Sequence, residues 1–327
     1  MLKGKQVWIH SSYVMNKKDA TTSKLGHINN AGVKIYSSLE GTSTVKNAGE
    51  TYTNRVYYIK KQDELKGVIY YLISQNPSSI KGVVGWVKAT DVFTHAHSGV
   101  DKNVKTFYVK GTGRAYIKAW GGSQDVIYTS LTAYKHQEFK VHLTEKVGNN
   151  IWYRGILNGK TVWIHSDYIT DILESNTSKL GHIRNSEVKI YPSLNVNSTV
   201  ENAGALFTNY VYYIKKQASK NKQLYYLISN EPSSSKGIVG WVKANDLSIH
   251  THLGVDKKTK SYYLKGTGSA TSKAWGGSKD IVYQSLTPYK RQEFKVHLTE
   301  KVGNNIWYRG SLKGKTVWIH HSNLINR

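Results

Sequence analysis

Two indoles, a guanidinium and an imidazole fall on one face of a short hairpin in this chain. That combination suits phosphates together with sugar or glycerol rings. Asn158-Gly159 is the strongest two-residue hairpin signal, and strand-like residues 151–157 and 160–165 flank it. With that turn, Leu157 faces Lys160, Arg154 faces Trp163, Tyr153 faces Ile164 and Trp152 faces His165. Opposed residues share a face and neighbours along a strand alternate. Tyr153, Gly155, Val162 and Ile164 therefore form the core side, and Trp152, Arg154, Trp163 and His165 the reverse. The same set recurs as Trp307, Arg309, Trp318 and His320. A softer version is Tyr70, Trp86 and Lys88, with its copy at Tyr225, Trp241 and Lys243. Lysine pairs that follow a Tyr-Tyr run, Lys60-Lys61 and Lys215-Lys216, add further cations. Trp120 and its copy Trp275 complete the candidate ligand-binding set; the alternative is that the segment containing Trp120 (Trp275 in the copy) covers the indole face and makes it a second small core.

Other chemistry finds less support. His95/His97 and His250/His252 have metal-like spacing, but no carboxylate or cysteine lies close by in sequence. KGTGRA (110–115) and KGTGSA (265–270) lack the glycine pattern and the following helix of a phosphate loop, and read as turns. There is no nucleophile elbow, zinc helix signature or repeated pair of carboxylates. Glu138 and Glu145 lie on or near a basic strand, where charge pairing explains them. The absence of cysteine removes thiol catalysis, disulfides and cysteine metal sites together. No catalytic residue, cofactor or metal is expected.

The charge points to the partner. With 46 Lys plus Arg against 21 Asp plus Glu, the formal net charge is +25. A field of that sign favours polyanions: nucleic acid, sulfated glycans, teichoic acids or anionic membranes. Nucleic acid fits the charge, but no recognition module for it is present. No apolar run is long enough to span a membrane. An extracellular domain without disulfides suits a Gram-positive bacterium.

These groups must be positioned by a repeated framework. Trp8, Trp163 and Trp318 are each 155 residues apart, and Trp86/Trp241, Trp120/Trp275 and Trp152/Trp307 share that offset. Residues 133–165 and 288–320 are nearly identical. Repetition shifts the expectation away from catalysis, because a weak binder gains avidity from each copy. Each unit divides again: Ile28 lies eight residues before Tyr36 as Trp120 lies eight before Tyr128, and both halves end in a Trp-containing strand. The pattern is strand rather than helix, as in residues 138–144, where apolar and polar residues alternate. Several short strands and a hairpin in so small a module read as a small β-barrel. The expected organisation is a module tail at 1–20 and four modules at 21–94, 105–170, 175–249 and 260–327. The joints HAHSGVDKNVKT and HTHLGVDKKTKS read as short polar connectors. The opening LKGKQVWIHSSYV matches LNGKTVWIHSDYI at 157–169, so the chain is expected to begin within a module of a longer protein.

The GWVKA strand (85–89, 240–244), the YYLI strand before it and the KAWGG and WIH variants resemble GW modules. These are the SH3-like repeats of Gram-positive surface autolysins and internalin B-type proteins. The resemblance covers nearly the whole chain. It implies an all-β fold of tandem SH3-like barrels in two pairs. It also implies a secreted, cell-surface region of an autolysin, without catalysis of its own, attached to lipoteichoic acid and the cell wall. An adhesin that binds heparan sulfate or a host receptor is the alternative. A monomer is expected. One departure stands out: Val162-Trp163 and Val317-Trp318 replace Gly-Trp, and the lost glycine removes backbone freedom, so the two module types need not bind alike.

Overall fold

The computed structural model describes residues 3–10, 20–28, 30–40, 43–195 and 199–326. The chain forms two compact units, 1–171 and 172–327, each all-β and antiparallel. Among the described residues helix is confined to single turns such as Gly49–Tyr52 and Gly204–Phe207. Each unit holds two curled SH3-like barrels with separate cores. In the first unit one core gathers Ile35, Tyr57, Ile59, Ile73 and Val87, and the other gathers Val109, Phe139, Leu157, Val162 and Ile164. Their counterparts in the second unit centre on Tyr212 and Ile228 and on Phe294 and Val317. A fully buried side chain of this kind contributes about 1.5–3 kcal/mol, so each barrel depends on its own small apolar set.

The joint is not a polar connector. Val92–Asp101 is one continuous strand. Its first half pairs with Ala20–Ile28, from Ile28↔Val92 to Lys24↔Ala96. Its second half pairs with Glu138–Val147, from Val147↔His97 to Thr144↔Asp101. Leu247–Asp256 repeats the arrangement in the second unit. The strand is polar because much of its surface is exposed, yet its backbone groups find partners in both barrels.

The Gly-Trp glycine answers a close approach. Gly85 has φ +148°, and a Cβ there would lie 2.7 Å from Ile35 Cγ2 and from the Tyr36 carbonyl oxygen. In the second barrel the small residue has moved to the opposite strand. Ile73 faces Gly85 in the first barrel, whereas Gly155 faces Val162 in the second. A Cβ at Gly155 would lie 2.4 Å from the Lys140 carbonyl oxygen. The Val-Trp departure thus keeps one large and one small residue at this cross-strand pair. In the opening segment, Val7, Trp8 and Ile9 are exposed; residues 2 and 11–14 lie outside the described residues.

Candidate ligand-binding face and the seam beneath it

The hairpin takes the register its turn predicts. Arg154 faces Trp163 and Trp152 faces His165 across Asn158-Gly159, whose φ values of +48° and +74° fit a tight primed turn. Val162 and Ile164 enter the barrel core with Tyr153 packed against it. The reverse face is not open. Trp152 and Trp163 are buried against Leu25, Val56 and Tyr58 of the preceding barrel, together with Ala119 and Val147. Tyr116, Trp120 and Leu143 close the edges. The covering segment around Trp120 was one of the two readings of the sequence; the neighbouring barrel was not foreseen. Trp318 and Trp307 sit likewise among Leu180, Val211, Tyr213 and Ala274. Arg154, Arg309, His165 and His320 remain half-buried at the rim of these faces. Burial pushes the Tyr58 phenol up to about 12; Glu145 adds to the rise and Arg154 opposes it.

Trp120 is held in an uncommon backbone state for a bulky residue, with φ +57°. Its ring packs on His27 at 4.4 Å, His95 at 4.6 Å and Phe93 at 5.6 Å between centroids. His27 Nε2 donates to the Trp120 carbonyl at 3.0 Å. Trp275 repeats this with φ +56°, against His182 and His250. Burial lowers the His27 and His182 pKa values, an effect the backbone hydrogen bond partly offsets.

One buried carboxylate fastens each pair of barrels. Asp125 Oδ2 accepts from the Val56 N–H at 2.7 Å and the Gly122 N–H at 3.0 Å. Lys118 Nζ donates to the Val56 carbonyl at 3.0 Å, and the Gln124 N–H donates to Asn54 O at 3.0 Å. Gly122 must be glycine, because a Cβ would lie 2.1 Å from Asn54 O. Asp280 does the same work, with the Val211 N–H at 2.7 Å and the Gly277 N–H at 2.9 Å. Sequence reasoning missed both aspartates. The available signal was an acidic residue retained after Gly-Gly in both copies of a basic chain.

The histidine pairs are accounted for by the fold. His97 Nε2 lies 2.8 Å from Glu145 Oε2, and His252 Nε2 lies 2.7 Å from Glu300 Oε2. The carboxylate that seemed absent near these histidines is delivered by strand pairing. Among the described residues no group of three or more potential metal ligands forms.

The cations divide into engaged and presented groups. Lys60 Nζ donates to Ser23 Oγ at 2.8 Å, and burial lowers its pKa with Glu145 opposing. Lys215 meets Ser178 at 2.9 Å, and Lys216 pairs with Glu174 at 2.7 Å. Lys61 Nζ lies 5.8 Å from the Trp86 ring centroid. Trp86 itself is buried, Tyr70 is half-buried edge-on to Tyr36 at 5.9 Å, and Lys88 is exposed. In the third barrel Trp241 is buried with Leu194, Ala218 and Leu227, while Tyr225 and Lys243 are half-buried.

A family model described as the GW (Gly-Tryp) dipeptide domain matches residues 18–93, 101–170, 174–248 and 255–324. The chain belongs to the GW domain family. It is also similar to the bifunctional autolysin of Staphylococcus aureus strain MRSA252, with 23% identity over 366 aligned positions. The protein of that name from strain Mu50 is 22% identical over the same length. Both alignments cover 99% of this chain but only 28% of the relative, so the chain spans little more than a quarter of the curated proteins it matches. A solved chain from Listeria monocytogenes, provisionally assigned as an autolysin, aligns over 95% of this chain and 98% of its own length. Its sequence identity is 15% and its TM-score 0.27.

The chain is therefore a GW repeat region, a binding type of domain rather than a catalytic one. Its GW modules are joined two by two through a shared strand and an apolar seam. The large aromatics hold the modules together, while many of the lysines face solvent.

Proposed function

We propose that this region attaches a secreted bacterial surface protein, an autolysin, to lipoteichoic acid and the cell wall. The observation that carries the reading is a +25 net charge spread over four GW modules. Lysine ammonium groups meet the polymer phosphates, and half-buried phenols such as Tyr70 and Tyr225 meet its glycerol or sugar groups. The packing of Trp152, Trp163 and Trp318, and in part of Trp307, into the seams moves contact away from these indoles and toward exposed cations. Each contact is weak, and tandem display strengthens the whole. Counterion release makes affinity fall steeply with salt. The test is binding of the whole chain to lipoteichoic acid across a salt series, with heparan sulfate as a parallel arm. A steep fall with salt and preference for lipoteichoic acid supports the reading. Binding unchanged in molar salt removes the charge mechanism, and preference for heparan sulfate favours the adhesin alternative.

A further inference from the structure

The two units diverge at the seam beside the buried aspartate. In the second unit a cavity of about 470 Å³ opens there, lined among others by Leu206, Phe207, Tyr210, Lys273, Lys279 and Asp280. Lys279 Nζ stands 5.2 Å from the Tyr210 ring centroid and donates to the Ala205 carbonyl. An ammonium has three donors, so further N–H groups remain for a ligand. Lys273 Nζ donates to the Val211 carbonyl at 3.0 Å and lies 3.9 Å from Asp280 Oδ1. Leu206 is exposed at the rim, and Phe207 and Tyr210 are half-buried.

An offset of 155 places Arg55 and Gln124 in the first unit where the second has Tyr210 and Lys279. There the Arg55 Nε–H donates to Gln124 Oε1 at 2.8 Å, and Gln124 Nε2 donates to the Glu50 carbonyl at 2.9 Å. A neutral amide held at both ends bridges the first seam. In the second seam Lys279 reaches the equivalent carbonyl, that of Ala205, but its ammonium stands by a phenol ring and an apolar rim where the first seam has the Arg55 guanidinium.

The geometry points to a binding pocket in the second seam for a sugar ring that carries a single negative charge, such as a glycosyl phosphodiester. This goes beyond multivalent attachment to a wall polymer, because it assigns one defined site in one unit to a single charged sugar. Phe207 and Tyr210 offer aromatic surface to the ring, and Lys279 meets the anion. Two ammonium groups and one carboxylate leave one net positive charge in the cavity, which matches a phosphodiester better than a doubly charged monoester. The volume lies in the range of small-ligand sites.

The test titrates the whole chain with a glucosyl methyl phosphodiester, with neutral methyl glucoside and with dimethyl phosphate, read by NMR shifts. The charged glucoside is expected to bind at least about tenfold more tightly than either fragment and to shift resonances of Tyr210 and Phe207. Tyr210→Arg combined with Lys279→Gln installs side chains the first unit already accommodates. This variant should lose the preference while melting as before and still binding lipoteichoic acid. Equal binding of the three probes, or an unchanged preference in the folded variant, overturns the pocket. Loss of lipoteichoic acid binding under all conditions with the probe preference intact would overturn the polymer reading and leave the pocket standing.

Discussion

Replacing Asp125 by alanine tests whether the seam is a structural joint. The carboxylate is almost fully buried, and its Oδ2 is the acceptor for the Val56 and Gly122 N–H groups. Val56 is itself fully buried, so water cannot easily replace the lost partner. An unsatisfied buried donor costs about 1–3 kcal/mol. Two such donors, the second partly accessible, give a loss of about 2–4 kcal/mol. For a unit of this size that is a fall in melting temperature of roughly 4–16 °C. Calorimetry of the whole chain carries its own reference, because Asp280 still fastens the second unit. The expected trace has one part of the unfolding enthalpy displaced downward and the other unmoved. Asp125→Asn keeps an acceptor oxygen and should lose less. A melting profile identical to that of the unaltered chain would refute the joint. Equal losses for Ala and Asn would show that the charge, rather than the hydrogen bonds, does the fastening.

Gly277→Ala should separate the second seam, since its Cβ would lie 2.2 Å from Asn209 O, whereas Gly99→Ala meets nothing within 4 Å and should leave melting nearly unchanged; equal melting of the two variants would contradict the close approach. Stability should also fall as pH drops below about 6.5. The folded chain holds the His27 and His182 pKa values below the ordinary one, so the unfolded chain binds protons first, and the contribution is present above that value and lost as pH falls through the folded pKa values. Replacing both histidines by Gln should flatten that part of the melting-against-pH curve, and an unaltered slope would exclude them as the source. Arg154→Ala with Arg309→Ala should weaken polymer binding only modestly, because both guanidinium groups are half-buried at the seam rim. A large loss in a folded variant, measured on immobilised lipoteichoic acid, would restore that face as the principal site.

What could be read from the sequence was local, and what could not was a matter of distant partners. Asn158-Gly159 determines the pairing of Trp152 with His165 and hence which residues enter the barrel, because turn geometry sets register over the few residues on either side. The same reasoning left two choices for the indole face, since alternation says which residues share a side but not what covers it. The cover is supplied by Leu25, Val56 and Tyr58, about a hundred residues earlier, and no periodicity within the hairpin encodes them. The strand Val92–Asp101 was hidden for a related reason: polar side chains usually mark a loop, but here the pairing is made by backbone groups. The Gly-Trp and Val-Trp variants show how close a one-strand reading can come while missing its partner. Val162 looked like a lost freedom, yet Gly155 faces it on the opposite strand and takes the close approach to the Lys140 carbonyl and the Phe139 ring, as Gly85, facing Ile73, takes that to Ile35 and the Tyr36 carbonyl. Compensation across a strand pair becomes visible only once the pair is known. That is also why the seam pocket escaped notice: Tyr210 and Lys279 look like ordinary surface residues until folding places them beside one another, where the first unit holds Arg55 against Gln124.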